Sequence, residues 1–249
     1  MFIIGGAGYL GTALAERFVR AGAEVTIYDN LLYSTNPLKR LDLLLHGVSL
    51  SDALQADLTI SHPRSGDYEF IKGDTRDREK VMSAIGSGFK YVFHFGELVG
   101  VSACEANPEI TKDVNYNGTQ NVVDGVLASP YQPRFVWNSS SSVYHRSSDG
   151  TLFTEGSGLP RCGSLDQYCR YKILSERYIK EKSSRSRDFE FVVLRPATVG
   201  GLSPRMRVEL LPNHIAYSLL LIKRFPIANP NDCRAVIDIK DITDFYVSL

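Results

Sequence analysis

Two side chains in the segment DQYCRYKILSERYIK have the chemistry to move a proton together. Tyr168 and Lys172 are four positions apart, which on a helix puts both side chains on one face about one turn from each other. A free tyrosine hydroxyl, with a pKa of about 10, is too weakly acidic to act as a base at neutral pH. A nearby ammonium favours the phenolate, so Tyr168 is a candidate acid/base and Lys172 its electrostatic tuner. Ordinary amphipathic helices also carry Tyr and Lys at this spacing, so the pair needs a site around it. A run of hydroxyls lies upstream in WNSSSSVY, at Ser139, Ser140, Ser141 and Ser142. One of them could hydrogen-bond a reacting alcohol or carbonyl oxygen, or all four could form a polar loop.

The elements that must position these groups follow from short apolar runs. Phe2 to Ile4, Val25 to Tyr28, Tyr68 to Ile71, Tyr91 to Phe95, Phe135 to Trp137 and Phe189 to Leu194 are rich in β-branched or aromatic residues and lack proline, as strands do. Helices are expected between them at Leu10 to Ala21, Arg76 to Ile85, Asn117 to Leu127 and Asp166 to Lys182. This βαβ rhythm predicts an α/β fold, a doubly wound parallel sheet covered on both faces. The serines then sit at the carboxyl end of the fifth strand, where such sheets bind ligands. Ser147 to Gly158 and Ser183 to Asp188 read as surface loops.

In IIGGAGYLG, the glycines Gly5, Gly8 and Gly11 fall between the first strand and the first helix. They permit a tight turn in which a pyrophosphate can reach backbone N–H groups at the positive end of the helix. Asp29, eighteen positions after Gly11, can accept hydrogen bonds from adenosine ribose hydroxyls and would repel a 2′-phosphate, so NAD is expected rather than NADP. Its alternative is a turn residue before Leu31. Asp74, in KGDTRD, either contacts the adenine edge or caps the next helix. An oxidised nicotinamide would add a second positive charge beside Tyr168.

Lys plus Arg and Asp plus Glu both total 28. No net field exists to hold nucleic acid or an anionic membrane, so an anionic ligand must be captured by local geometry. Cys104, Cys162, Cys169 and Cys233 show no metal-ligand spacing, no metal is expected, and a reducing cytoplasm is the simplest compartment. Met1 runs straight into an apolar strand without the layout of a signal peptide, and Ile215 to Ile222 is too short to span a bilayer.

The chain resembles the extended short-chain dehydrogenase/reductase family, in its NAD-dependent nucleotide-sugar epimerase/dehydratase branch. The likeness runs from Phe2 to about Leu249, through GGAGYLG, YDNL, GDTRD, HFGELVGVSACEANP, NYNGT, NSSSSVY, YCRYK, LRPATVGG and IDIKDITDF in the family's order. It implies a Rossmann fold, bound NAD, a nucleotide-sugar substrate and a homodimer formed through the helices at Asn117 to Leu127 and Asp166 to Lys182. The S-S-x-x-V-Y pattern puts the catalytic hydroxyl four positions before Tyr144, which selects Ser140. The resemblance also places Tyr9, Leu10, Asn30 and Thr75 at the cofactor, with Phe95, Gly96, Asn115 and Pro196. His94 matches the family's structural histidine.

The branch's dehydratases carry Asp and Glu directly after the catalytic hydroxyl, where this chain has Ser141 and Ser142. Its 3,5-epimerases use a cysteine two positions before the motif tyrosine, which is again Ser142 here. The resemblance therefore implies epimerisation at C4 through a 4-keto sugar. The alternatives are a reductase or dehydrogenase of a keto sugar or other carbonyl compound, and a dinucleotide-binding sensor without chemistry.

Two departures bear on the substrate. Glu97 stands where a small residue is usual near the cofactor, and Thr198 replaces an asparagine that commonly holds the diphosphate. Ser141, Ser142 and Thr198 are candidate substrate contacts. So are Arg205, Arg207 and Asn213 in GLSPRMRVELLPNH, unless that stretch is an ordinary surface helix start. Residues 1–195 are expected to form the NAD-binding domain. Residues 196–249, with Ser203 to Asn231 opening it, are expected to form a small partial substrate lobe interleaved with the last strand and helix of that domain; relatives usually continue past this point.

Overall fold

The computed structural model of the chain describes residues 1–34, 36–56, 58, 66–144, 152–160, 165–186, 188–227 and 233–249. Six strands, β1 (Phe2–Ile4), β2 (Thr26–Asp29), β3 (Glu69–Lys72), β4 (Tyr91–His94), β5 (Arg134–Asn138) and β6 (Phe191–Leu194), form a sheet in the order β3-β2-β1-β4-β5-β6. Phe2 lies opposite Val92, Val92 opposite Phe135 and Phe135 opposite Phe191, all in parallel register. The order reverses beside β1, the switch point of a doubly wound Rossmann-type sheet.

Parallel strands need crossovers. These are α1 (Tyr9–Arg20), then α2 (Asn36–Leu45) with α3 (Leu50–Gln55), then α4 (Arg78–Ile85). Between β4 and β5 the chain runs through α5 (Val101–Ala106), α6 (Pro108–Thr111), a π-helical turn (Lys112–Asn117) and α7 (Gly118–Ala128). A 3₁₀ turn (Ser141–Tyr144) follows β5, and α8 (Gln167–Arg185) leads to β6. Beyond β6, β7 (Thr198–Gly200) and β8 (Val236–Asp238) pair in parallel as a separate ribbon, with α9 (Leu211–Ile222) between them and α10 (Ile239–Ser248) last.

The chain divides into two compact units. One comprises Met1–Gly5, Tyr28–Asn30 and Ile71–Arg195; the other comprises Gly6–Ile27, Leu31–Phe70 and Pro196–Leu249. In the first, Phe2, Tyr28, Val92, Phe135 and Trp137 pack with Val81 and Ile85 of α4 and Val122, Val123 and Val126 of α7. Each such fully buried side chain contributes about 1.5–3 kcal/mol of apolar burial. In the second, Leu14, Ala15 and Phe18 of α1, Leu38, Leu41 and Leu44 of α2, and Ile239, Ile242 and Tyr246 of α10 are buried. On α9, Leu219, Leu220, Leu221 and Ile222 are exposed.

One expectation is corrected, one alternative is decided, and two helices appear beyond those expected. Ser183 to Arg185 are not loop but the last turn of α8. The hydroxyls of Ser183 and Ser184 bond back to the carbonyls of Lys180 and Glu181 at 2.9 and 2.7 Å, and Lys182 and Arg185 complement the negative end of the helix. Capping of α4 falls to Asp77, which accepts from Lys80 N at 3.1 Å, and not to Asp74. The stretch between β2 and β3 holds two helices; Leu38, Leu41 and Leu44 repeat every three residues and mark α2's buried face. Cys162 and the expected loop or lobe positions 147–151, 187 and 228–231 lie outside the described residues.

Candidate functional site

In the first unit, α8 delivers Tyr168 and Lys172. Its start is pinned twice: the Asp166 side chain accepts from Cys169 N at 2.9 Å, and Glu105 accepts from Gln167 N at 2.6 Å. Tyr168 stands in the first turn, where the Ser140 hydroxyl is near enough to lower its pKa; Ser140 Oγ accepts from Ser142 N at 3.1 Å. Lys172 is 2% exposed, and its ammonium donates to Glu97 Oε2 and to the Asn138 carbonyl. The same nitrogen lies 4.7 Å from the ring centre of Trp137 and 5.7 Å from that of Tyr168, close enough for cation–π attraction. The structure therefore brings half-buried Ser140 and Tyr168 beside buried Lys172, with the buried Glu97 side chain as a further charged member.

Burial raises the Tyr168 hydroxyl above its ordinary range; the Lys172 charge pulls it down and the Glu97 charge pushes it up. The hydroxyl is thus a protonated phenol at neutral pH in the free chain. Burial likewise raises Glu97, against the attraction of Lys172 and hydrogen bonds from Lys172, Trp137 and Thr119.

The other serines differ from Ser140. Ser139 is 2% exposed and donates to Glu176 Oε1 at 2.5 Å. Arg195 forks onto the same carboxylate at 2.9 and 2.6 Å and donates to the Tyr144 hydroxyl at 3.0 Å. Phe153 stacks on Tyr144 with ring centres 5.7 Å apart. Ser139 is thereby a structural residue, and the 3₁₀ turn that carries Ser141 and Ser142 is anchored at Tyr144.

Asn115 sits in the π-helical turn, a feature frequent at functional sites. Its amide clamps the backbone of Leu98 on both sides at 2.8 Å, and its carbonyl accepts from Ser175 of α8 at 3.1 Å. It thus ties the segment after β4 to the tyrosine helix. His94 ends β4 fully buried, 3.0 Å from Thr119 Oγ1, and burial lowers it to about 3, so it is neutral.

Gly5 has φ +75°, and a Cβ there would come within 2.5 Å of Gly96 N. Only glycine permits this approach of the two strand ends. Phe95 N donates to the Ile4 carbonyl at 2.8 Å. Asp74 receives Asn30 Nδ2 at 3.0 Å and the Arg76 guanidinium at 2.8 and 3.0 Å, which lower its carboxyl to about 2. Thr75 is buried, its carbonyl accepting from Asn121 at 2.9 Å.

In the second unit, Gly8 caps α1 and so offers no side chain, and α1 has no acidic residue in its first turn. This leaves the helix's positive end suited to a phosphate, and the residues here fit a dinucleotide. Tyr9 donates to the Gly201 carbonyl at 2.7 Å, and Ser203 donates to the Tyr9 carbonyl at 2.7 Å.

Asn213, an expected substrate contact, is hydrogen-bonded within the unit. Its amide donates to Tyr9 Oη at 3.2 Å and to the Arg207 carbonyl at 2.9 Å, and its oxygen accepts from Gly201 N at 2.8 Å. The amide hydrogens thus reach the start of α1 and the chain leading into α9, while the amide oxygen holds Gly201, the residue after β7. Arg207 pairs with Glu209 at 2.7 Å, Arg205 lies 4.2 Å from the Tyr33 ring centre, and Thr198 N donates to Ala235. Leu10 and Gly11 lie in the first turns of α1, and Pro196 precedes β7. No helix among the described residues is long and apolar enough to cross a membrane.

The model of the NAD dependent epimerase/dehydratase family matches residues 1–248. The chain is 28% identical over 198 residues to UDP-glucose 4-epimerase 3 of Oryza sativa subsp. japonica, across 78% of this chain and 48% of that one. It is 27% identical over 234 residues to the decarboxylating sterol-4-alpha-carboxylate 3-dehydrogenase of Saccharomyces cerevisiae, across 93% of this chain and 59% of that one. It thus spans about half the length of these curated relatives. Its fold is similar to that of the Thermus thermophilus UDP-glucose 4-epimerase in complex with NAD, at TM-score 0.73 and 20% identity, over 99% of this chain and 73% of that one.

Proposed function

Because the chain belongs to the NAD dependent epimerase/dehydratase family and its cofactor is NAD, we propose that it inverts C4 of a nucleotide-linked sugar through a transient 4-keto intermediate. The observation that carries this reading is the Lys172 ammonium 5.7 Å from the centre of the Tyr168 ring, with the Ser140 hydroxyl near enough to influence the phenol. An alcohol oxygen bound there meets a hydroxyl that exchanges its proton and a second that orients it.

When bound, NAD supplies the oxidant that accepts hydride from the sugar carbon and returns it to the opposite face. Tyr168 takes the proton of the C4 hydroxyl as that carbon is oxidised and gives it back on reduction. Ser140 hydrogen-bonds the same oxygen throughout. The uncapped start of α1 holds the pyrophosphate and Asp29 the adenosine ribose. Ser141 and Ser142 stand where the branch's dehydratases have Asp and Glu, which disfavours 4,6-dehydration.

A second reading, a dehydrogenase with net turnover of cofactor on a non-sugar alcohol, draws on the similarity to the sterol dehydrogenase over 93% of this chain. The test is incubation of the protein with UDP-, GDP-, CDP- and dTDP-sugars, followed by NMR and absorbance of NADH. A product of unchanged mass with inverted C4 and no net NADH is the expected result. Stoichiometric NADH formation would move the assignment to the dehydrogenase.

A further inference from the structure

Glu97 is a buried carboxylate at the centre of the cluster, and its placement is overdetermined. Its own N–H donates to the Phe95 carbonyl at 2.9 Å, and Asn115 clamps the next residue, Leu98. Its side chain is 3% exposed. Oε2 takes the Lys172 ammonium, while Oε1 accepts from Trp137 Nε1 at 3.2 Å and from Thr119 at 3.5 Å. A carboxylate and an ammonium buried together cost several kcal/mol each to desolvate, so the arrangement persists only because each charge meets the other.

Lys172 can act on Tyr168 only with the net charge of this pair. Whether Tyr168 meets a cation or a neutralised dipole decides whether it enters a reaction cycle as base or acid.

From this geometry we infer that Glu97 is a positioning residue that anchors and neutralises Lys172, so that Tyr168 rests as a proton-donating phenol and is drawn to the phenolate only when further positive charge arrives. The inference rests on the assignment of Tyr168 as the acid/base, and it adds a gate that the Tyr168 and Lys172 pair alone lacks. In the resting chain the site is set to protonate a carbonyl oxygen; a positively charged cofactor resets it to deprotonate an alcohol.

Among the described residues, the other titratable groups around the cluster are His94 on β4, neutral by burial; Cys104 on α5, whose thiol burial pushes up to about 11; and Cys169 of α8 with its cap Asp166. None places a second cation against Tyr168.

The test is a near-ultraviolet tyrosinate titration of the protein without added cofactor, with Tyr168→Phe in each background isolating Tyr168 from the other tyrosines. This readout requires neither substrate nor turnover, so it stands or falls separately from the epimerase reading. Glu97→Gln removes the charge but keeps an oxygen for Trp137; the ionisation of Tyr168 is expected to move down by about one pH unit or more. An unchanged or upward-moving titration would overturn the inference.

Should Glu97→Gln not fold, the double variant Glu97→Ala, Lys172→Met removes both charges, a replacement buried ion pairs often tolerate. If the pair is neutralised, Tyr168 titrates within about half a unit of the parent. A rise of more than about one unit would show that Lys172 acts as an unscreened cation, and the inference fails.

Discussion

Ser139 and Glu176, from β5's end and the middle of α8, share a 2.5 Å hydrogen bond in the interior. Arg195 completes the arrangement from the residue after β6, its side chain 17% exposed against 8% for Glu176. Three elements that border the candidate site are thereby tied through one carboxylate. Removing one partner strands a buried charge, whereas removing both need not.

Glu176→Ala is therefore expected to lower the unfolding free energy by about 3 kcal/mol, read from urea denaturation midpoints. Glu176→Leu combined with Arg195→Met should cost clearly less than the sum of the single changes. Additive costs would mean that the pair is not coupled as drawn.

Tyr168→Phe keeps the ring and loses the hydroxyl. Turnover should fall by about 10²–10⁴-fold, while calorimetric NAD affinity stays within a few-fold of the parent. Retained turnover would remove Tyr168 from proton transfer.

Asp29→Ala should narrow the preference for NAD over NADP, because the carboxylate that would repel the 2′-phosphate is gone. Fluorescence titrations with both reduced cofactors measure the ratio. A parent chain that binds the two equally would discard the ribose assignment for Asp29.

His94 gives a pH signature. Its ordinary value of 6.5 is depressed to about 3 in the fold by burial first and Lys172 second. Below 6.5 the unfolded chain takes up a proton that the folded chain refuses, so stability is full above that value and declines as the pH falls towards 3. The slope approaches about 1.4 kcal/mol per pH unit. His94→Gln should flatten the urea midpoints between pH 6 and about 4 relative to the parent, and identical slopes would assign the acid sensitivity elsewhere.

The sheet was legible because each strand is a short uninterrupted apolar run, and a parallel sheet buried on both faces requires such runs. The Tyr168 and Ser140 pairing was legible only through the resemblance, since four adjacent serines are chemically alike and position alone separates Ser140 from Ser139. What escaped was long-range. Glu97 and Lys172 are 75 residues apart and Ser139 and Glu176 37 apart, and no local pattern couples them. Lys172 could be read as a tuner of Tyr168, but the carboxylate that offsets it could not. Asp74 was open between an adenine contact and a cap; the cap is Asp77 because α4 starts at Arg78. Asn213 offered a polar amide without showing which groups of the fold it would bond.

The close approach of Gly5 and Gly96 has an evolutionary consequence. A methyl group at Gly5 would strike the Gly96 backbone at 2.5 Å, while one at Gly96 would meet Ile4 Cγ2 at 3.0 Å and Gly5 N at 3.3 Å. Substitution at Gly5 is closed whatever its partner does, because the obstacle is main chain at 2.5 Å; Gly96 meets a side chain that can trim and a backbone nitrogen that must give by only a few tenths of an ångström. Descendants of this sequence can therefore drift at Gly96 only after Ile4 has shrunk and the Gly5 backbone has eased, whereas Gly5 has no permissive background, and the order in which mutations arrive determines which of them survive.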